Sequence, residues 1–589
     1  MRHRFRCDPP FGANLHGDGS ASFVLWAPAA GHIELEFRDG DRVPMERDAD
    51  GWHRTRLACT AGQEYRFRID SGLAVPDPAS RAQAGDVHGF SVVVDPGEYE
   101  WQHAQWSGRP WREIVIYELH VGCLGGSFEA LRDRLPALAQ MGVTAVELMP
   151  LADFAGTRNW GYDGVLPFAP DASYGEPRAL KEFIDCAHGV GLCVYLDVVY
   201  NHFGPEGNYL HVYAPAFFDA GHPSPWGSSI DFRVPQVREF FIANALYWLH
   251  EFRFDGLRLD AVHAIRDTSF LDELARRVRS SSESGRDIHL MLENEANDAR
   301  RLRQGYDAQW NDDVHNVLHR MLTGETESYY LNFRDEPAKH LARCLAEGFA
   351  YQGEASPHHA GAPRGFPSAD LAPTQFIFFL QNHDQVGNRA FGERLIEISD
   401  PEALRAAIVL QLLCPQIPLL FMGEEYAART PFLYFTDFHD ELAAAVRDGR
   451  RREFEKFAAF RDPARREAIP DPNARSSFDD SVVPGPRSVR EKRHFDWIRD
   501  LLRVRHRHIV PHLDDAQSLG AQVLGPAAVQ ARWKLGPYRL WIGVNLGADG
   551  VAVENPAGDS LFASREDAWA RIAAGELPGR SCCALLGQV

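Results

Sequence analysis

The chain lacks any long apolar run. Nowhere in its 589 residues do apolar side chains approach the roughly 18 in succession that a membrane helix needs. The N-terminal segment MRHRFRCDPPFG has basic residues but no apolar core behind them, which speaks against a secretory leader and for the cytoplasm. Cysteine is sparse and unpatterned. There are nine, an odd number, with only Cys582 and Cys583 adjacent. The absence of a CxxC pair or a Cys/His spacing excludes a zinc motif of the usual kind, so reduced structural thiols are expected. Basic side chains are also in deficit. The 62 Lys and Arg against 82 Asp and Glu leave a formal charge of −20, whereas nucleic acid and anionic membranes both call for a basic surface. Neither is expected as a partner, and a neutral or small ligand fits better. Internal repeats and low-complexity tracts are missing too.

What is present is a chain long enough for two to four domains, with 11% aromatic residues. Residues 20–100 read as short alternating strands (ASFVLWAP, HIELEFRD, QEYRFRID) punctuated by Gly, Asp and Pro, the pattern of a small β-sandwich. From about residue 112 the pattern changes. Near-continuous apolar runs at 114–121, 143–151, 191–200, 254–262, 288–293, 308–313, 376–384 and 418–424 alternate with helical-period stretches such as VREFFIANALYWLHEF. Eight such strands with intervening helices predict a closed parallel (β/α)₈ barrel; the run at 308–313 is the shortest and most polar. The expected partition is a β-sandwich at 1–105, a barrel at 106–510 with long connections at 201–236 and 314–375, and a C-terminal β-domain at 511–589. An Arg-rich stretch after residue 425 reads as helical and solvated.

Polar residues close most of these apolar runs, and in a barrel those ends converge on one mouth. The third run ends DVVYNH (Asp197, Asn201, His202), the fourth RLDAVH (Arg258, Asp260, His263), the fifth ENE (Glu293, Asn294, Glu295) and the seventh NHD (His383, Asp384). Any one carboxylate could be a surface group or half of a structural ion pair. Three arriving from three strands are costly to bury without purpose. Three carboxylates and two histidines could bind a metal or cleave a glycosidic bond. The second reaction needs an ionised carboxylate and a protonated one. Arg258, two positions before Asp260 and on its face of the strand, favours an ionised Asp260, suited to a nucleophile, and Asp197 serves to orient Arg258. Glu293 ends an apolar run with no basic neighbour in sequence, which suits the acid. Glu295 shares its face two residues on. Tyr162 and Trp226, on connections beyond the second and third runs, are flat rings able to stack on sugar; for Trp160 simple loop packing is equally expected.

DVVYNH, GLRLDAVH, LMLENE and QNHDQ resemble, in order and context, the four sequence regions of the α-amylase superfamily, glycoside hydrolase family 13. That resemblance implies Asp260 as nucleophile, Glu293 as acid/base and Asp384 as the carboxylate that stabilises the transition state. Tyr162, His202, Arg258 and His383 would line the subsite of the attacked glucose, and His263 would face the aglycone side. VIYELHVG, NWGYDGVLPFAPDASYG and YDAQWNDDVHNVLH resemble the members acting on maltooligosyltrehalose. These hydrolyse the α-1,4 bond beside a terminal α,α-1,1-linked trehalose, with retention, in sequence with a synthase that forms this substrate. Trp226 would then lie on the side receiving trehalose. The acidic cluster of the amylase calcium site is not seen, so no metal or other cofactor is expected. The alternative is a glucan branching enzyme, which shares the N-terminal module and the WGY motif.

Overall fold

The structure, a computed structural model, describes residues 5–224 and 227–588. Eight parallel strands close into a barrel in sequence order: β1 (Ile116–Leu119), β2 (Ala145–Leu148), β3 (Cys193–Val198), β4 (Gly256–Leu259), β5 (His289–Leu292), β6 (Ala308–Trp310), β7 (Phe376–Phe379) and β8 (Ile417–Phe421). Every residue of the eight is buried. Both faces of each strand are covered, which is why the sequence shows continuous apolar runs instead of alternation.

The barrel interior is layered. Ile116, Ala145, Tyr195, Met291, Trp310, Ile377 and Leu419 belong to an apolar cluster that fills its floor. Two residues along β1 to β4 the same inward face carries Glu118, Glu147, Asp197 and Arg258, all buried. The charged groups therefore form a tier between the apolar floor and the mouth.

Helices sheathe the barrel. Those at Pro177–Gly189, Pro235–His250 and Pro401–Leu413 begin with proline, whose fixed φ suits the first helical turn and whose missing N–H costs nothing there. Pro235–His250 is apolar nearly all round because the N-terminal sheets cover its outer side. Phe11 packs edge-on to Phe240 at 5.2 Å, and Phe217 does the same from the connection after β3 at 5.4 Å. The N-terminal residues form a four-stranded and a six-stranded antiparallel sheet. At the other end a five-stranded antiparallel sheet, Gln517 to Gln588, follows the helix Val489–His508. Buried Arg505 of that helix donates to the carbonyls of Leu412, Cys414 and Gln416.

The two long connections fold into elements of their own. Residues 201–236 contain the hairpin Phe218–Ser224/Gly227–Ile230, and 314–375 contain Pro337–Glu347 and the hairpin Glu354–Ala355/Pro363–Arg364. The Arg-rich stretch is helical at Asp440–Glu453, but Arg450 is buried and donates to the carbonyls of Gly387 and Arg389. The expectation of a fully solvated helix is thus corrected: a guanidinium with five donors can serve as a clamp on loop carbonyls.

Candidate active site

Arg258 organises the mouth. It lies at the end of β4, fully buried, and its Cζ sits 4.2 Å from the centroid of the Trp310 ring. Nη1 donates to Asp197 Oδ2 at 2.6 Å and Asp260 Oδ1 at 2.9 Å, and Nη2 pairs with Glu293 Oε2 at 2.9 Å. One guanidinium thus holds carboxylates from β3, from the end of β4 and from the end of β5. Burial alone would lower its pKa, but Asp197, Glu293, Tyr162 and Asp260 raise it well above the ordinary arginine value.

This arrangement corrects one expectation. Glu293 has no basic neighbour in sequence, yet in space it shares Arg258 with Asp260, because adjacent parallel strands bring Arg258 level with Met291. Both contacts of the Glu293 carboxylate fall on Oε2, which also accepts from the Ala261 amide at 2.8 Å. Ala261 itself has φ of 40°, a left-handed turn that ends the strand just past Asp260. Glu295 does not meet Arg258. It lies at the rim, within 4.0 Å of His263 and 3.3 Å of His359.

Asp260 is held on both oxygens: Asn201 donates to Oδ2 at 2.8 Å. His202 contacts the Asn201 amide oxygen through Nδ1 and the Tyr162 carbonyl through Nε2, so it supports Asp260 at one remove. The Tyr162 hydroxyl donates to Asp197 at 2.6 Å, and its ring stacks on His383 at 5.0 Å and 23°. His383 in turn contacts Asp384 Oδ2 at 3.4 Å. Burial pushes Asp197 up to about 7, against the opposing charge of Arg258. For His383 burial acts downward, but Asp384 and Glu118 outweigh it and raise the imidazole to about 9. Side-chain exposure grows from Asp260 (12%) through Glu293 (18%) to Asp384 (33%). The three carboxylates thus form a slope from the barrel interior to solvent that a ligand can enter from above.

Trp160 is a packing residue, stacked on Phe432 at 5.2 Å with Nε1 donating to the Leu433 carbonyl. Trp226 lies outside the described residues. Sequence reasoning missed Glu118, which accepts from the His383 amide at 3.1 Å and holds its Nδ1 at 2.5 Å. It also missed Glu147, whose pKa burial raises well above the carboxylate range, with Glu118 and Asp197 adding to the rise. A lone Glu inside IYEL and AVEL was the available signal for both.

The chain matches the model of the α-amylase catalytic domain over residues 79–214, and a domain of unknown function over 516–583. It is 41% identical over 459 residues to malto-oligosyltrehalose trehalohydrolase of Saccharolobus solfataricus, covering 75% of this chain and 80% of that protein. The crystal structure of a candidate alpha amylase from Salmonella typhimurium superposes with a TM-score of 0.93 at 43% identity, covering 99% of this chain and 100% of that one. A 1,4-alpha-glucan branching enzyme of Vibrio cholerae is 36% identical, but over only 41% of this chain and 37% of its own.

Proposed function

The chain belongs to the malto-oligosyltrehalose trehalohydrolase family of the α-amylase group, and from that premise we propose the course of its reaction. The substrate is maltooligosyltrehalose. The enzyme hydrolyses the α-1,4 bond next to the terminal α,α-1,1-linked trehalose, releasing trehalose and a maltooligosaccharide.

Asp260, held by Arg258 and Asn201, attacks the anomeric carbon. The bond to the glycosidic oxygen breaks, its electron pair stays on that oxygen, and Glu293 supplies the proton from Oε1, the oxygen turned away from Arg258 and Ala261. Trehalose leaves. Glu293, now ionised, takes a proton from water as that water attacks the same carbon and frees Asp260. Asp384, beside the His383 cation, binds sugar hydroxyls and stabilises the oxocarbenium-like charge. Tyr162, His202 and Arg258 shape the subsite of the attacked glucose, and His263 and Trp226 serve the leaving side. No step calls for a metal or other cofactor.

The observation that carries this reading is the single guanidinium bridging Asp260 and Glu293. Each carboxylate lies 2.9 Å from one nitrogen of the same planar fork, which sets a nucleophile and an acid side by side on one cation, the pair that a retaining mechanism uses. Proton NMR of the maltooligosaccharide at early times tests it: the α-anomer is expected first, and initial β-anomer would overturn the assignment. The substrate's α,α-1,1 linkage must come from a preceding synthase acting on the reducing end of a maltooligosaccharide. All nine cysteines are unpaired thiols, seven of them buried, the state that a cytoplasmic location would maintain.

A further inference from the structure

The rim of the mouth carries a second cluster, apart from the three reacting carboxylates. Glu295 stands two residues beyond Glu293. The hairpin Glu354–Ala355/Pro363–Arg364 brings His358 and His359 up to it from the connection after β6. Among the described residues, these three offer one ligand atom each within 4.8 Å of one another.

The frame around them is tied down. Arg364, paired with Asp313 in the interior, donates to the Glu295 carbonyl at 2.9 Å. The hairpin tip closes through Ser356 and Gly361 backbone bonds at 2.9 Å. The Asn332 side-chain oxygen accepts from the His358 amide at 2.8 Å and from Ser356 Oγ at 2.9 Å. The His358 ring packs against Tyr329 at 4.9 Å.

That chain of hydrogen bonds decides where the His359 proton sits. Ser356 Oγ spends its hydrogen on Asn332, so at 2.9 Å from His359 Nδ1 it accepts. The Nδ1 nitrogen then bears the proton, and Nε2 of the neutral ring presents a lone pair. Nε2 faces Glu295 Oε1 at 3.3 Å. Two acceptors opposed at that distance need a proton or a cation between them. Ligand atoms on a tetrahedral zinc ion, each about 2.0–2.1 Å from the metal, are about 3.3–3.4 Å apart, so this pair already spans one edge of such a site. A zinc-ligating histidine usually has its far N–H held by a hydrogen-bond acceptor, and here Ser356 Oγ is that acceptor. Imidazole with a carboxylate selects zinc over magnesium or calcium.

We propose that Glu295, His358 and His359 form a zinc site on the rim of the cleft, and that its occupation competes with the glucan. The three ligands come from the connections after β5 and β6. A metal ion joining them draws a strap across the mouth beside Glu293. The binding stands on the geometry alone; the competition rests on the glycosidase reading given above.

Zinc chloride titrated calorimetrically into chelator-treated protein tests the first half. One equivalent per chain is expected, with affinity at least about tenfold weaker in His359→Ala and in His358→Gln. Lack of one-to-one binding, or equal affinity in both variants, would overturn the site. Steady-state kinetics test the second half. Zinc should raise KM and leave kcat unchanged, and His359→Ala should turn over normally while escaping the effect. A fall in kcat at constant KM, with binding intact, would overturn the competition and leave the site standing.

Discussion

Arg258 gives the site its logic at the scale of single residues. It pairs with Asp260 and Glu293 at 2.9 Å each, whereas the Glu295 carboxylate lies against the rim histidines His263 and His359. Glu293→Gln should therefore lower kcat by about 10⁴-fold or more, as removal of an essential reacting group does. Glu295→Gln should chiefly raise KM. Steady-state kinetics on both variants would contradict the assignment if the pattern reversed. Glu118 gives a second prediction. His383 titrates at about 9, above its ordinary value of 6.5, so its cation persists through neutral pH and is lost as the pH rises through about 9. The stability that this proton contributes is complete below 6.5 and lost over the same rise. Glu118→Gln leaves burial opposed by Asp384 alone, and the alkaline limb of kcat/KM should move down by about one pH unit or more. An unchanged limb with a lower melting temperature would reduce Glu118 to a packing residue.

At the scale of elements, the connection after β2 depends on Gly161. Its φ is 103°, and a Cβ there would lie 2.2 Å from the Pro150 carbonyl oxygen, a backbone atom that cannot yield. The glycine allows Trp160 to turn into the packing under the loop while Tyr162 turns to Asp197. Gly161→Ala should destabilise by more than about 1 kcal/mol and, by displacing Tyr162, cost about 10²-fold in kcat/KM. Thermal unfolding and kinetics that matched wild type would refute this. The same elements show what a sequence discloses. The strands were legible because burial on both faces makes them read as near-continuous apolar runs, β6 with its AQW being the faintest of the eight. Asp260, Glu293 and Asp384 were legible as charges at the ends of those runs. Glu118 and the pairing of Glu293 with Arg258 were not, since their partners lie on other strands and only barrel closure brings them together. The hairpins within 201–236 and 314–375 escaped because their strands, Phe218–Ser224 and Pro363–Arg364 among them, carry no apolar run.

For the whole molecule, one continuous apolar cluster runs from Phe11 through the barrel helices to Ala584. The N-terminal sheets and the barrel share Phe240 and its neighbours, so they should unfold together. Phe11→Ala, a loss of about 3–5 kcal/mol, should shift a single denaturant transition in which fluorescence and turnover disappear at the same midpoint. An early separate transition that left turnover intact would show the sheets to be independent. The central claim concerns the reaction that this assembly supports, and product analysis on maltotriosyltrehalose and maltopentaose in parallel tests it most directly. Rapid release of trehalose from the first, with slow attack on the second, is the predicted result. Equal cleavage of both, or new α-1,6 branches on longer glucans, would contradict it.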